Sequence, residues 1–552
     1  MKRTLLLTST FAVVTSAAYA GGYLTNTNQN AAFGRNLSQE ARIDITSTYA
    51  NPAGVGFLAP GWHFSFNNQS AFQTRTIDSS YGDNLFGVGT VNGVHNGNGT
   101  KRFKGTAKAP ILPSFDLAYV RDRWSVALHF GITGGGGKCT FDDGLGSFES
   151  QVALLPVLSE VLRPGAVSGY QMDTYLKGRQ YYFGTQLNAT YRVLPDVSVA
   201  LGLRMVNASC AYDGYVKNIA VVTPQGTMPA ADFLTAAGMG SMAALVGDRV
   251  LDNTQSGMGF TPIIGVDWRI NDHWNVAAKY EFKTRLRLKN STESVTDANG
   301  NTTELNAGLE AYSDGVSQKA DIPAILYVGA QYSPVERVRI NVGGHIYFDK
   351  QATQHNERHH RLDGQGWELL AGAEYDVNSV LTVSAGWQNT NYGLGKNSEF
   401  ITDMSFVTNS NSVGLGARVH VSKKVALDVS YFKTFYSHYH RTQADYNGNW
   451  ATMSAKLAGG VAQLQGAVGQ LNAGIEQLNA ALTNTELPAA QAEQLGMELQ
   501  RYTAQRDGYQ AQLLSLGQMA QAAGATVPQK VYGSDNFTRT NDVFGIGVVV
   551  SF

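Results

Sequence analysis

Residues 544–552, FGIGVVVSF, mostly alternate large apolar side chains with small or polar ones and end on an aromatic ring. A two-residue period is that of a β-strand, whose successive side chains point to opposite faces. One apolar face and one small, polar face suit a strand that separates lipid from the interior of a barrel. The stretch therefore predicts the closing strand of a bacterial outer-membrane β-barrel, ending at Phe552.

The same period recurs along the chain, for example in residues 197–205 and 425–431. Six short polar turns join the strands in pairs, at residues 121–123, 194–196, 271–273, 333–336, 376–379 and 422–424. With a first strand near 61–72 and a last at 542–552, the count is fourteen, even as expected for a single-chain barrel. A soluble sandwich also alternates, so the contrast of short turns with long loops and the export signal favour the barrel.

The N-terminus has the order of a cleavable signal peptide. Lys2 and Arg3 precede an apolar stretch at 5–14, and Ala18-Tyr19-Ala20 fits a signal-peptidase site. The alternative, a membrane anchor, needs a longer apolar run, and no run of 18 apolar residues follows residue 20. We expect a signal peptide at 1–20 and a mature chain that crosses the outer membrane of a Gram-negative-type bacterium many times as strands.

Sidedness follows from the even number of strands, because both barrel ends then lie on one side of the membrane. The short turns and Phe552 should face the periplasm, with Trp124 and Trp274 at the interface where amphipathic rings are favoured. The fold class predicted is an all-β transmembrane barrel with fourteen antiparallel strands. Its expected divisions are a hatch or plug at 21–60, strands 1–13 with their loops at 61–440, an outer loop at 441–538 and the closing strand at 539–552.

Composition excludes several classes of function. The formal net charge is −1, and −3 without Lys2 and Arg3, so nothing indicates nucleic acid binding. No nucleotide-binding, serine-hydrolase or zinc-protease motif occurs, so neither an enzyme nor a cofactor is expected. No metal site is predicted either, since five histidines of the outer loops lack paired spacing on one element: His355, His359, His360, His438 and His440.

Two cysteines occur, Cys139 and Cys210, both just beyond the outer ends of strands that run outward. An oxidising compartment allows them to pair. Sequence does not fix their separation, so a disulfide between them stays open.

Residues 21–60 do not alternate and precede the first strand, so they form either a periplasmic tail or a plug in the lumen. Gly22-Tyr23, Ala32-Phe33-Gly34-Arg35 and Asn51-Pro52-Ala53 stand there in that order. This region resembles the hatch of the FadL-type outer-membrane transporters of long-chain fatty acids, a family that includes aromatic-hydrocarbon channels. The Pro-bearing strand start Asp321-Ile322-Pro323 also resembles that family. The plainer alternative for Asn51-Pro52-Ala53 is a turn.

The resemblance implies a route without chemistry on the substrate. A hydrophobic molecule would land on outer loops, reach a pocket inside the barrel and leave sideways into the bilayer at a kinked third strand. It implies ligand contacts in the hatch from Tyr23, Phe33, Asn51, Pro52 and Ala53. Glycines within strands mark bends, so the lateral opening is placed at Phe130, Gly131, Gly134 and Gly135, with a flexible loop start as the alternative.

Two further groups of residues could serve such a route. Cations on the lumen side could attract a carboxylate head group or simply pair between strands: Arg204, Lys279, Lys283 and Arg285. Apolar residues of the outer loops could form a landing groove or only cover the barrel mouth: Val152, Leu154, Leu155, Val157, Leu158, Leu162, Phe233, Leu234, Met239, Met242 and Leu245.

Residues 451–525 depart from the strand pattern. Leucine, valine and isoleucine recur at alternating spacings of four and three from Leu457 to Leu482, and the spacing resumes at Leu495 after Leu487-Pro488. This heptad pattern predicts two antiparallel helices, the first about 38 Å long at 1.5 Å per residue. Strand parity places them outside the cell, where they could dock a partner, shield the mouth or extend a groove.

The leading functional hypothesis is diffusion of hydrophobic molecules, expected to be long-chain fatty acids, through a plugged monomeric barrel into outer-membrane lipid. The alternative is a surface-display, adhesion or structural barrel that presents the helical hairpin to an extracellular partner. A general porin is disfavoured, because residues 21–60 would obstruct its pore.

Overall fold

The computed structural model describes residues 25–237, 240, 243, 246–292, 295–296, 302–303, 312–483 and 488–552. The predicted signal peptide, Tyr23 of the hatch, and Met239, Met242 and Leu245 of the predicted groove lie outside the described residues. The chain forms a closed antiparallel barrel, because the first strand pairs with both the second and the last. The predicted fourteen strands are confirmed.

The barrel strands are numbered here in chain order. They are β1 Gly61–Tyr81, β2 Thr100–Arg121, β3 Trp124–Phe141, β4 Gly169–Arg192, β5 Val197–Thr223, β6 Arg249–Arg269, β7 Trp274–Glu281, β8 Ile325–Val335, β9 Val338–Tyr347, β10 Gly366–Asp376, β11 Leu381–Asn391, β12 Ser410–His420, β13 Val425–Tyr436 and β14 Gly533–Ser551.

Side chains alternate along these strands between a lipid face and a lumen face. In β5, Leu201 and Leu203 at odd positions are 69% and 49% exposed, whereas Ser198 and Arg204 at even positions are buried. Trp124 and Trp274 are exposed and begin their strands directly after short turns, at the expected interface. Period two therefore predicts the burial of this strand correctly.

The closing strand differs from its predicted start at residue 539, because β14 already begins at Gly533. Its outer part pairs with β1 as far as Tyr81 and with a short strand, Tyr439–Gln443, of the preceding loop. Five strands, β1, β2, β4, β5 and β6, are more than twenty residues long, whereas about ten residues are enough to cross a bilayer.

Outer loops carry the remaining elements. Short strands lie at Gly89–Val91, Val94–His95, Gly226–Pro229, Arg287–Thr292, Val295–Thr296, Thr302–Thr303 and Ser317–Lys319. Two loop helices are α3 Gly146–Leu162 and α4 Ala230–Ala236, and 3₁₀ turns occur at Asp349–Gln351, His355–Arg361, Tyr446–Gly448 and Val527–Gln529. No described helix is long and apolar enough to cross a membrane.

Residues 25–60 fold into the lumen and are called the plug below. They contain α1 Ala31–Arg35, α2 Ser47–Ala50 and a 3₁₀ helix, Pro52–Phe57, whose side chains are nearly all buried. Asn30 caps α1 through its side-chain oxygen, which accepts from the Phe33 amide at 2.8 Å. Of the two predicted alternatives, tail or plug, the structure has the plug.

The predicted helical pair is α5 Asn449–Leu482 and α6 Ala489–Thr526, called the hairpin below. With 34 and 38 residues, the helices are about 51 and 57 Å long, longer than the predicted seam. Leu457 and Leu516 are buried at its base, where they cluster with Leu234 of α4 and Met519. The hairpin is therefore anchored at the barrel mouth.

Candidate functional site

The barrel wall has a break between β2 and β3. Their ladder pairs Phe115 with Phe130 and resumes only at the pair of Ala107 with Cys139. Residues 108–114 of β2 therefore face residues 131–138 of β3 without strand pairing, and this region is called the gap below. Unpaired backbone groups are rare in a barrel wall, since lipid offers them no hydrogen bonds.

Proline causes the break on the β2 side. Pro110 and Pro113 have no N–H group to donate across the gap. A bulge against β1 lies at the same level, where the ladder shifts between Gln69 and Ala71, and the Pro110 carbonyl accepts from Ser70 Oγ at 2.7 Å. This part of β2 is thereby tied to β1 rather than to β3.

Glycine causes the break on the β3 side. The register with β4 shifts twice, between Ile132 and Gly134 and between Gly134 and Gly137. Gly135 has a φ of +94°, which disfavours any side chain, and a Cβ there would lie 2.5 Å from the Gln180 carbonyl. The glycines singled out in the sequence thus lie at the irregular part of β3.

The start of the plug takes up the backbone groups that β3 leaves free. The Asn26 amide donates to the Thr133 carbonyl at 3.0 Å, and the Asn26 and Gln29 side-chain amides both donate to the Ile132 carbonyl, at 3.1 and 3.0 Å. Thr25 forms a bridge with Gly134. Residues 25–29 therefore cover the inner side of the gap like a fragment of strand.

Apolar side chains lead from the plug to the gap. Phe33 of α1 is buried in a cluster with Leu37, Leu112 and Phe432, and partly buried Ala109, Ile132 and Tyr181 pack against it. Outside the gap, Phe130 stacks between Phe115 and Phe183, with ring centroids 5.6 and 6.3 Å away. A molecule crossing here would meet apolar surface on both sides.

Ion pairs hold the plug to the far wall. Arg35 of α1 pairs with Glu374 of β10 and, at 2.9 Å, with Asp428 of β13. Asp44 pairs with Arg418 of β12 at 2.6 Å, and Arg418 also binds Asp428 at 2.6 Å. All these side chains are at most 12% exposed, so each charge depends on its partners for solvation.

A second polar contact involves His345 of β9. Its two ring nitrogens lie 2.7 Å from Glu40 of the plug and 2.9 Å from Glu368 of β10. Tyr347 donates to the same Glu368 carboxylate at 2.7 Å. The lumen-wall charges named here therefore find partners in the plug, in neighbouring strands or in both.

The Asn51-Pro52-Ala53 segment anchors the lower plug. The Asn51 side chain accepts from the Ala53 amide and donates to the Val266 carbonyl of β6 at 3.0 Å. Thr190 of β4 donates to the Pro52 carbonyl at 2.9 Å. These contacts join the plug to the wall, and none of the three residues lines a described cavity.

A small space of about 20 Å³ lies beside the plug, lined among others by Phe33, Tyr49, Lys279, Tyr327 and His345. This volume holds about one water molecule. Phe33 and Lys279 are the predicted ligand contacts that reach it. The described part of the plug therefore leaves little room at this point of the lumen.

Arg204 and Lys279 share one carboxylate. Glu281 accepts from Arg204 at 2.7 Å and from Lys279 at 2.8 Å, and both cations lie over the Tyr49 ring. Lys279 also donates to the Tyr49 carbonyl at 2.9 Å. These two cations thus pair between strands and with the plug, and their contact with a carboxylate head group stays a prediction.

Lys283 and Arg285 do not join them. Strand β7 ends at Glu281. Up to Glu281 the odd-numbered side chains face the lumen, and from Thr284 onward the even-numbered ones do. A one-residue slip moves side chains to the opposite face. Arg285 is accordingly exposed, and Lys283 Nζ lies 3.6 Å from Asp321 Oδ2 near the outer rim, so the structure corrects the expectation that these two cations lie on the lumen side.

The open question of a disulfide is answered in the negative, because Cys139 and Cys210 are free, buried thiols. Strand β4 lies between them, with Gly178 beside Cys139 and Gln180 beside Cys210. Two strand spacings amount to about 10 Å, whereas a disulfide needs Cα atoms within about 7 Å.

A cavity of about 790 Å³ lies at the outer mouth, between α3, the loop at 397–404 and the base of the hairpin. Leu154 and Leu155 of the predicted groove line it, whereas Val152, Val157 and Leu158 are buried among the packed loops. Phe233 and Leu234 pack against the hairpin base. The structure does not describe the side chain of Leu162, the remaining residue of the predicted groove in α3.

One histidine cluster comes together in the outer loops. Ligand atoms of Glu357, His359 and His360 lie within 4.8 Å of one another. His359 Nδ1 accepts from the Gln354 amide at 3.3 Å, which leaves the proton of a neutral ring on Nε2, the nitrogen that faces Glu357. Neutral His359 is therefore not arranged to bind a metal through Nε2.

Several residues of this site were not singled out in the sequence. Asn26 and Gln29 carried no signal, because their role depends on where the plug folds. Pro110 and Pro113 did carry one, since two prolines within a strand pattern exclude an ordinary ladder there.

Comparisons with known proteins agree with this architecture. The family model described as outer membrane protein transport protein (OMPP1/FadL/TodX) matches residues 181–463, just over half of the chain. A solved structure of a Pseudomonas aeruginosa FadL homologue is 13% identical, with a TM-score of 0.55, covering 96% of this chain and all of the other. At this identity the likeness shows the fold alone.

Two toluene transporters of known structure also match. The toluene transporter TodX of P. putida is 11% identical, with a TM-score of 0.49, 94% of this chain and 97% of the other being covered. The toluene transporter TbuX of Ralstonia pickettii is 12% identical, with a TM-score of 0.46 and coverages of 95% and 98%. The sequence matches no curated protein.

Proposed function

Since the chain belongs to the OMPP1/FadL/TodX family of outer-membrane transport proteins, we propose that it admits hydrophobic molecules, with long-chain fatty acids as its substrates. They would pass from the outer mouth along the plug and leave through the gap into the bilayer. No bond in the substrate is made or broken. Lateral release suits such molecules, because each buried CH₂ is worth about 0.8 kcal/mol relative to water.

The observation that carries the proposal is the gap together with its cover. Residues 25–29 are the groups that hydrogen-bond to the free edge of β3. A shift of this segment would uncover a wall opening that is already apolar inside and out. An opening of this kind has no use in a barrel that only displays a hairpin.

Fatty acids as substrates are supported by apolar and cationic side chains that lie beside the plug. Phe33 and the rim of the gap offer apolar contact, while Lys279 and Arg204 are cations held by the Glu281 carboxylate. A carboxylate passing this point would compete with Glu281 for these two cations. A monoaromatic hydrocarbon would use only the apolar part.

The test is uptake by cells that lack their own outer-membrane fatty acid transporter. Cells that express this chain should take up labelled palmitate, and Ala109→Trp should lower uptake by about tenfold or more, because the indole would overfill the rim of the gap. Ala278→Trp is the matched control, since Ala278 lies on the lipid side of β7. Its uptake should equal that of the unchanged protein.

Uptake that is equal with and without the correctly inserted protein would refute the proposal. A parallel assay with labelled toluene separates the substrates: toluene uptake without palmitate uptake would retain the transport role and reject fatty acids. Normal uptake of both by Ala109→Trp would reject the gap as the exit.

A further inference from the structure

Three cations lie side by side on strands β2, β3 and β4 at the outer end of the gap. The last residues that pair above the gap are Ala107 and Cys139. Lys108 and Lys138 come next on the gap side of this pair. Lys138 in turn lies directly opposite Arg179 of β4. Lys108, Lys138 and Arg179 therefore form one row across three neighbouring strands, called the cation row below.

The cation row lies on the outer surface of the barrel. Its three side chains are exposed, whereas the neighbouring residues Ala107, Cys139 and Gln180 are buried. Because successive side chains of a strand point to opposite faces, the row faces away from the lumen.

The length of β4 places the row just beyond the hydrocarbon of the membrane. Tyr191 lies opposite Trp124 at the periplasmic interface, and twelve positions separate it from Arg179. At about 3.3 Å per residue and a strand tilt of about 40°, Arg179 stands about 30 Å above that interface. The apolar band of such barrels is about 25 Å tall. Arg179 therefore lies at the level of the lipid head groups of the outer leaflet.

The acids near the cation row are engaged with other side chains or lie further from the membrane. Asp213 of β5 pairs with Lys177 at 3.3 Å. Asp542 of β14, two strands before the row, pairs with Lys433 at 2.8 Å. The remaining acids of this part of the wall lie further out along their strands or in the loop after β3: Asp78, Asp142, Asp143, Asp173 and Asp252.

The cation row itself has no acidic partner among the described residues. None of its three side chains forms an ion pair with a described carboxylate, and the same holds for Lys104, four positions further out on β2. Like charges directly opposite each other on one face of a sheet repel. Since an anion between them would turn this repulsion into attraction, the row suits an anionic group that lies outside the described part of the chain.

Position and spacing indicate which anion this is. Lysine and arginine clusters at a membrane surface attract anionic lipid head groups. In the outer leaflet of this membrane the phosphates belong to lipopolysaccharide, just above the hydrocarbon. Neighbouring strands lie about 4.8 Å apart, so the row spans about 10 Å. A glycolipid with more than one phosphate matches three cations over this distance better than a phospholipid with a single phosphate.

We propose that Lys108, Lys138 and Arg179 bind the phosphates of one lipopolysaccharide molecule of the outer leaflet. A guanidinium binds phosphate through two parallel hydrogen bonds, and an ammonium group binds it as a point charge. The bound phosphates link β2 to β3 at the outer end of the gap, where the two strands lack hydrogen bonds to each other. The site is independent of the proposed function, because its ligand is a lipid of the surrounding membrane.

Acetylation of lysine side chains tests the site. The full protein is refolded in detergent without lipopolysaccharide and acetylated with or without bisphosphorylated lipid A, the membrane anchor of lipopolysaccharide, and mass spectrometry gives the rate at each lysine. We expect lipid A to slow acetylation of Lys108 and Lys138 about fivefold or more, because a phosphate-bound ammonium is shielded. Lys424, exposed in a short turn at the periplasmic side, is the reference and should keep its rate.

Arginine variants test the third cation of the row. R179Q should raise the lipid A concentration that half-protects Lys138 by about tenfold, because the bidentate contact is lost. R179K keeps the charge and should have a smaller effect. R337Q removes an exposed cation between β8 and β9 at the periplasmic side and should change nothing. Each variant is first checked for the heat-modifiable mobility of a folded barrel.

Equal slowing at Lys424 would show a general lipid coat and overturn the site. Equal protection of Lys108 and Lys138 by dephosphorylated lipid A, by phosphatidylglycerol or by inorganic phosphate would overturn the assignment to lipopolysaccharide. An unchanged half-protecting concentration in R179Q would remove Arg179 from the site. None of these results depends on uptake, so failure of this proposal and failure of the transport role are distinguishable.

Discussion

Arg35 shows how one residue can couple the plug to the barrel. Its guanidinium reaches Glu374, Asp428 and Ser384 on three different strands, and it is fully buried. Such a charge is tolerated only with partners in place, because desolvation of an unpaired ion costs several kcal/mol. The position therefore holds α1 against the wall opposite the gap.

Arg35→Met should release this contact. We expect a loss of about 3 kcal/mol in the free energy of unfolding, since Glu374 and Asp428 would keep only their other arginine partners. Urea unfolding in lipid vesicles measures this change, and planar-bilayer recordings should show more frequent channel openings as the plug loosens. Arg35→Lys, which keeps the charge, should give a smaller effect.

If Arg35→Met unfolds at the same urea concentration and remains silent in bilayers, the ion pairs are not what holds the plug. The contacts of Thr48, Asn51 and Pro52 with strands β4 and β6 would then be the main attachment.

At the scale of elements, the gap arises from two strands that fail to pair for different reasons. On β2 the cause is proline, which cannot donate, and on β3 it is glycine, which lets the chain bend. Neither strand alone would open the wall, because an ordinary partner could follow a bend. The plug segment 25–29 supplies the hydrogen bonds that the missing pairing leaves free.

The hairpin has a seam in which small residues on one helix face large ones on the other. A Cβ on Gly474 would lie 2.7 Å from the Tyr502 ring, and one on Gly460 would lie 3.2 Å from Leu516. Glycine therefore costs helix propensity at these two positions but allows close packing.

Two glycine substitutions should have opposite effects on the hairpin. Gly466 has no neighbour within 4 Å of a Cβ, so Gly466→Ala should stabilise α5 by about 0.5–1 kcal/mol. Gly474→Ala should instead destabilise it by about 1–3 kcal/mol, because the Tyr502 ring must move. Hydrogen exchange of the hairpin amides should slow in the first variant and quicken in the second, and equal changes in both would contradict the packing described.

Truncation separates the two ends of the hairpin. Replacing residues 470–506 by a short Gly-Ser turn retains the base, with Leu457, Leu516 and the cavity-lining residues of α5. We expect palmitate uptake to stay unchanged, because none of the described residues in the removed part lines the cavity or joins the cluster at the hairpin base. Loss of uptake in a correctly folded truncation would show that the distal hairpin takes part in transport.

For the molecule as a whole, the plug decides between a closed barrel and a pore. The described plug residues lie inside the lumen, and the space of about 20 Å³ beside them holds about one water molecule. Its polar contacts with β4, β6, β7, β9, β10, β12 and β13 surround it on most sides. Passage of a substrate therefore requires the plug to move.

Deletion of residues 25–58 should turn the protein into a water-filled channel. The lumen wall exposed in this way is rich in charged and amide side chains, which water would solvate. Single-channel recordings should show a steady conductance for the deletion and none for the full protein. A folded deletion variant that remains silent would mean that the outer loops, and not the plug, close the barrel.

The sequence by itself determined what depends on local patterns. Period two, short turns and an even strand count predict the barrel and its sidedness, and heptad spacing predicts the hairpin, because each pattern is read within one element. The glycines of β3 and the plug segment were also visible in this way. The prolines of β2 carried an equally local signal that was not used.

Only the tertiary structure decided which side chains meet. Barrel closure sets the register between strands distant in sequence, so the partners of Arg35, the separation of Cys139 from Cys210 and the missing pairing at the gap could not be read locally. The slip after Glu281 reversed the side on which Arg285 lies, since one residue out of register exchanges the two faces. FGIGVVVSF predicts a strand, but its partners β1 and β13 are fixed by the closed ring of fourteen.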